Sequence, residues 1–156
     1  MARATTDKEF RQLVEKLQLQ NTDVVRGTIF AMGSDIIQSS PVGNYKLWKK
    51  YQANPRAKRP KGYTGGRFRG AWQSTLDRPS GRVTLRKDKT GSKSQERLMK
   101  AVEALQAGNT FYMTNNLPYA VELEFGHSTQ APTGIVRKVL LTYNEAITKA
   151  QSKARR

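Results

Sequence analysis

The sequence has no cysteine and one histidine, His127. Disulfides, iron–sulfur clusters and thiol catalysis are thereby excluded, and the usual cysteine–histidine zinc sites with them. Acidic residues are scarce, 12 against 28 Lys+Arg, so the formal charge is +16. Self-repulsion on that scale weakens an isolated compact monomer and favours a negative partner: nucleic acid, an anionic membrane surface or an acidic protein face. Long apolar runs are missing. Stretches such as Val139-Leu140-Leu141 are short and broken by Lys and Arg, far below the roughly 18 residues that cross a bilayer. The opening MARATTDKEFRQ has no apolar core of a secretory signal, so a cytoplasmic protein is expected until it joins a partner. With 156 residues, 37% of them hydrophobic, one domain with much solvated loop is expected.

The charge is concentrated. Residues 1–40 hold five basic and five acidic residues, residues 41–100 seventeen and three, and residues 101–156 six and four. The middle segment therefore carries +14 of the total.

The first third reads as helical. Thr6-Asp7-Lys8-Glu9 is a capping-box pattern, followed by Phe10, Leu13, Val14 and Leu17 at helical spacing. A second register starts after Asn21-Thr22-Asp23, with Val25, Ile29, Met32 and Ile36 on one face, and ends before Pro41. Gly27 and Gly33 weaken the case for one unbroken helix. Residues 41–72 lack periodicity and read as a long functional loop. Phe68–Leu76 predicts a helical turn passing into a strand, and Gly81–Leu85 a short alternating strand. Residues 86–94 form a polar loop, Glu96–Leu105 a helix and Asn109–Thr114 a strand. A last helix is expected from about Gly134 to Lys149, striped by Ile135, Val139, Tyr143 and Ile147, with a frayed basic tail at 150–156.

Several chemistries drop out. No Gly-Lys dipeptide and no G-x-S-x-G elbow is present, and a lone histidine in a glycine-containing loop is more often a surface residue than a general base. Glu122 and Glu124 would share a face if they lay on a strand, where paired carboxylates hold a divalent metal in nucleases. Ion pairing with the many arginines explains them more simply. We expect no enzyme activity, no catalytic residue, no metal and no cofactor.

The distinctive segment runs from Lys58 to Trp72 (KRPKGYTGGRFRGAW). Basic residues interleave with Tyr63, Phe68 and Trp72, a mixture that neutralises phosphates and stacks on bases. The spacing of four and four in Phe68, Trp72 and Leu76 favours a core-facing stripe for the aromatics, with the charges open to both readings, nucleic-acid contact or a solvated rim. Lys49, Lys50, Arg56, Lys58, Arg59, Lys61, Arg67 and Arg69 are the candidate contacts to DNA or a protein partner.

Three blocks in order carry a resemblance: Ser40-Pro41-Val42-Gly43; Thr64-Gly65-Gly66-Arg67-Phe68-Arg69-Gly70-Ala71-Trp72; and Asn115-Asn116-Leu117-Pro118-Tyr119-Ala120 through Glu124-Phe125-Gly126, with Ala131-Pro132-Thr133-Gly134 just after. Together they resemble the tailed-bacteriophage neck and tail-completion proteins, head–tail joining relatives of minor tail protein Z. The resemblance implies an α+β domain over residues 1–156, with N-terminal helices and a C-terminal helix packed on a small antiparallel sheet. It implies structural roles for Pro41, Gly66, Trp72, Asn115, Pro118, Tyr119, Ala120, Glu124, Gly126, Pro132 and Gly134. It further implies a virion protein, made in the host cytoplasm, that forms a ring with six copies expected. The ring's neighbours would be the head-completion or connector protein and the tail-terminator protein, with packaged double-stranded DNA inside and neither membrane nor small-molecule substrate involved. Relatives pass from Ser-Pro-Val to Thr-Gly within a couple of residues, whereas here a basic insertion at 41–66 intervenes, and a loop and helix at 86–107 lengthen the strand connection. A nucleic-acid-binding module is the alternative reading, and a metal-dependent nuclease using Glu122 and Glu124 a weaker one.

Overall fold

The computed structural model describes residues 7–54 and 56–155. Thr6 of the expected capping box lies outside them. The chain is α+β: seven helices of very different length and one two-stranded antiparallel sheet among the described residues.

Helix α1 runs unbroken over Asp7–Ser39, where two registers had suggested two helices. The residues expected to interrupt it are absorbed by helix-compatible bonds. The Thr22 hydroxyl donates to the Gln18 carbonyl one turn back at 2.9 Å, and Asp23 pairs with Arg26 at 3.5 Å. The glycines of α1 are contact points. A Cβ at Gly27 would lie 3.1 Å from the Ala150 Cβ, and one at Gly33 2.7 Å from the Leu98 side chain. They let two other helices sit close against α1.

Those helices are α4 (Ser92–Glu103) and α7 (Tyr143–Ala154). Although α4 was expected in an insertion, it brings Leu98 (0% exposed) and Val102 into the middle of the core. Arg26 ties α1 to its far end, donating through Nε and Nη2 to the Leu105 carbonyl at 3.1 and 2.6 Å. The expected single C-terminal helix is split into α6 (Val136–Leu141) and α7. Thr142 makes the break: both its backbone N–H and its hydroxyl donate to the Val139 carbonyl at 2.9 Å. Ile135, Val139 and Ala150 are buried, Tyr143 is exposed, and the helix continues to Ala154, past the point where fraying was expected.

The sheet pairs β1 (Gln73–Leu76) with β2 (Phe111–Thr114), with Gln73 opposite Thr114 and Leu76 opposite Phe111. As the sequence predicts, Phe68–Leu76 starts as a helical turn, α3 (Arg67–Gly70), and becomes β1. Gly81–Leu85 forms no strand. Side chains take the Arg82 carbonyl and the one just before the segment: Gln73 Nε2 donates to Arg82 at 2.7 Å, and Asn116 Nδ2 donates to Ser80 and Arg82. Val83 and Leu85 point to solvent, so no buried face rewards the alternation. The main core gathers Ile36 and Ile37 of α1 with Phe68, Trp72, Leu98, Leu117 and Ile135.

Candidate functional site

A buried knot of hydrogen bonds joins the end of α1, the α3 turn and the start of α4. Ser40 follows α1 directly. Its hydroxyl donates to the Ile36 carbonyl and accepts from the Trp72 indole N–H, both at 2.7 Å. That pairing leaves neither polar group of the buried pair unsatisfied. Pro41 is buried beside it. Gly66 sits at φ 77°, and a Cβ there would approach the Lys89 nitrogen and Asp88 carbonyl carbon to 2.7 and 2.8 Å, so only glycine fits. Its carbonyl accepts from Gly70 and Asp88, both at 2.9 Å.

Asp88 is the anion of this knot. It is buried and accepts from the backbone N–H of Gly91 at 2.9 Å and of Ser94 at 2.8 Å, closing the first turn of α4. Burial alone would raise its pKa; the N–H groups of Ser94 and Gly91 and the Ser94 and Thr90 hydroxyls outweigh it and hold the carboxyl below its ordinary range. Arg69 is spent here too. It donates to the carbonyls of Lys89 at 2.6 Å, Gln38 at 2.8 Å and Ser40 at 2.9 Å. Burial lowers its pKa, with Asp88 opposing. Among the eight candidate cations, Arg69 is therefore a strut between α1 and the loop before α4.

The third block of the resemblance closes the other side. Asn115 Nδ2 donates to the Phe68 carbonyl at 3.0 Å. Leu117 is buried, Pro118 is exposed, and Tyr119 turns in against Phe68 with ring centroids 6.2 Å apart. Burial raises the Tyr119 pKa. Ala120 opens helix α5 (Ala120–Glu124). Glu122 and Glu124 thus lie on a helix, where residues two apart project about 200° from one another, and the shared strand face expected for them is not formed. Glu124 is fully engaged. Oε2 accepts from the N–H groups of Ile135 and Val136 at 2.9 Å, and Oε1 from that of Arg137 at 3.0 Å. Burial opposes its ionisation, but those N–H groups and the Arg137 charge hold its pKa low. Gly126 and Gly134 let the two segments cross: a Cβ would stand 2.5 Å from the Pro132 carbonyl oxygen on the first and from the Glu124 carbonyl oxygen on the second. Among the described residues, no three acidic or histidine side chains lie together as a metal site.

Outside the knot, the basic insertion forms a flap. It leaves and rejoins the body at one place, since a Cβ on Gly65 would stand 2.5 Å from the Gly43 carbonyl oxygen. Gln130 pins its root, accepting from Val42 N–H at 3.2 Å and donating to the Val42 carbonyl at 3.1 Å. Asn44 caps a 3-10 turn at Tyr45–Leu47, and a one-turn helix α2 (Lys49–Gln52) follows. The flap has its own aromatic cluster. Trp48 packs edge-on against Tyr63 at 4.8 Å and against Tyr51 at 5.8 Å, and Tyr51 packs against Tyr45 at 5.3 Å. Sequence reading missed this cluster, although Tyr45, Trp48 and Tyr51 recur every three residues. Conversely, Phe68 and Trp72 are buried and packed at 5.9 Å, so the core-facing reading holds for them.

Between flap and body lies a groove of about 910 Å³. Trp48, Tyr63, Phe68 and Tyr119 give it aromatic walls, and Lys49, Lys61, Arg67 and Lys87 stand around it. Burial raises the Tyr63 pKa. His127 lines the groove as an exposed side chain. A shallower depression of about 390 Å³ on the flap includes Arg59 and Lys89. Lys50, Arg56 and Lys58 are exposed and line neither. Of the eight candidate cations, three therefore share one groove, four stand elsewhere on the flap, and Arg69 is internal. No carboxylate among the described residues pairs with the seven outside the knot.

No family model, curated protein or solved structure matches this chain.

Proposed function

We propose that the chain is a structural subunit of a bacteriophage neck, forming a ring at the head–tail junction and completing attachment of the tail to the DNA-filled head. One observation carries this reading. Residues from all three resembling blocks, separated by up to about ninety positions, meet in the Ser40–Trp72 knot and its Glu124 flank, where Ser40, Gly66, Trp72, Asn115, Glu124, Gly126 and Gly134 make fold-determining contacts. The role of the molecule then falls to its surface, where the flap carries cations with no carboxylate partner among the described residues. Flap cations suit acidic faces of adjacent rings, and those around the groove suit phosphates. No bond-making step is assigned to any side chain.

Reconstitution of heads with tails tests the reading. Replacing Lys58, Arg59 and Lys61 with Gln lowers the yield of joined particles; an unchanged yield removes the flap from the joint. Absence of the polypeptide from purified virions refutes the neck assignment altogether.

The exposed indole of Trp48 among Lys49, Lys61 and Arg67 favours one second reading, a nucleic-acid-binding module. Tight binding of bare DNA or RNA by a monomeric chain, weakening steeply with salt, selects it over the ring.

A further inference from the structure

The groove between flap and body is walled by aromatics from both sides, Trp48 and Tyr63 from the flap and Phe68 and Tyr119 from the body. The two sides come close enough to act on one another. Burial raises the Tyr119 pKa, the charge of Arg67 opposes that rise, and Tyr63 adds to it. Phe68 is buried in the core, and Tyr63 and Tyr119 are half-buried. Trp48 keeps 42% of its surface exposed even with Tyr51 and Tyr63 against it. Its indole is therefore the largest aromatic surface in the groove left for a ligand to cover.

The charges around it are of one sign. The described lining holds four cations, Lys49, Lys61, Arg67 and Lys87, and no carboxylate. Lys87 Nζ donates to the Gly62 carbonyl at 3.5 Å, which sets it at the lip where body meets flap. The cations continue past the groove. The shallower depression shares Gly43, Asn44, Leu47, Tyr63, Thr64 and Gln130 with it and adds Arg59 and Lys89, again with no carboxylate in its described lining. The two depressions thus form one track with six cations.

We infer that this track binds single-stranded nucleic acid, with an unpaired base stacked on Trp48 and the phosphates of the strand following the cations. The inference rests on the phosphate contact proposed above for the groove and names its ligand; it holds with or without a ring. An exposed indole set among cations suits a base attached to phosphates, since every base offers a face for stacking. A duplex keeps those faces covered within its own stack, so only unpaired nucleotides can use the indole. The groove volume of about 910 Å³ is that of a site for small ligands, too confined for a duplex. An acidic peptide would meet the cations but offer no flat ring to Trp48. A free nucleotide would find its counter-charges within the groove, whereas cations that run on into a second depression suit a chain of phosphates.

Fluorescence anisotropy of the full chain with a labelled oligothymidylate of about twelve nucleotides tests this, beside a blunt duplex of the same length. In low salt the single strand is expected to bind about ten times more tightly than the duplex or better. Trp48→Ala lowers single-strand affinity on the order of tenfold and leaves duplex affinity unchanged, and Trp48→Phe, which keeps a ring to stack on, restores most of it. The bound strand quenches tryptophan emission in wild type but not in Trp48→Ala, whose remaining Trp72 is 7% exposed. Gln at Lys49, Lys61 and Arg67 reduces the slope of log affinity on log salt by about 2. Equal affinity for strand and duplex, or tight binding without quenching, overturns the proposal and leaves the nucleic-acid reading standing. Displacement of the strand by polyglutamate or by thymidine monophosphate at matched charge overturns it too, in favour of an acidic peptide or a free nucleotide. A chain that binds neither strand nor duplex overturns both this inference and the nucleic-acid reading, while the neck assignment is decided separately by the virion.

Discussion

Arg69 and Lys61 stand eight residues apart in the same cationic stretch, yet they do opposite things. Arg69 donates to three backbone carbonyls and holds α1 to the loop before α4. Lys61 stands at an open groove whose described lining holds no carboxylate. The same division separates the whole knot from the whole flap. In the knot, Asp88, Glu124 and Arg69 are fixed by backbone partners, so their charges act inward. In the flap, aromatic edges supply the rigidity and the charges are left for something outside. Net charge alone therefore says nothing about where a cation is used; the acceptors within reach decide it.

The sharpest way to break this division is Trp72→Ala. Removing a buried aromatic costs about 3–5 kcal/mol, and it takes away the donor that the buried Ser40 hydroxyl accepts from. The melting temperature falls by roughly 10 °C. A loss no larger than that of a flap aromatic would dissolve the distinction. Asp88→Asn comes next, at about 1–3 kcal/mol, because an amide N–H₂ then faces a backbone N–H. This variant also carries a pH signature. The folded-state pKa of Asp88 is depressed, so its contribution is complete above the ordinary carboxylate range and is lost as the pH falls through the folded value. Acid titration of Tm should show a shallower acid limb for the variant than for wild type. Smallest in stability is Trp48→Ala, at about 1 kcal/mol, since its ring is already 42% exposed. Its effect should appear in binding instead: combined with neutral residues at Lys49, Lys61 and Arg67, it lowers DNA affinity and flattens the salt dependence. An unaltered salt slope would move the phosphate contacts elsewhere on the surface.

The contrast also explains what could be read in advance. Phe68 and Trp72, four apart, announced buried residues, and β-rich NTFYMT announced β2, because both signals are local; Leu76, third in the expected stripe, falls instead on β1 and is only half-buried. The end of α1 before Pro41 is local as well. Arg67 and Arg69 could not be told apart, since only tertiary carbonyls distinguish a strut from a free cation. Glu124 looked like half of a carboxylate pair because its true partners, the N–H groups at 135–137, lie eleven to thirteen residues on. Gly81–Leu85 had the right alternation, but Val83 and Leu85 find no buried face, and side chains hold the Arg82 carbonyl. The apolar residues at the start of α1 promised a helix and delivered one. Their periodicity carried no word about burial, and the stripe is exposed.

The meeting of Gly43 and Gly65 at the root of the flap has an evolutionary consequence. Roughly twenty residues begin and end at one seam, so a single in-frame insertion or excision adds or removes the entire appendage while the Ser40–Trp72 joint stays shut. Lineages could therefore exchange flaps as cassettes, retuning what the surface grips without renegotiating how the chain folds.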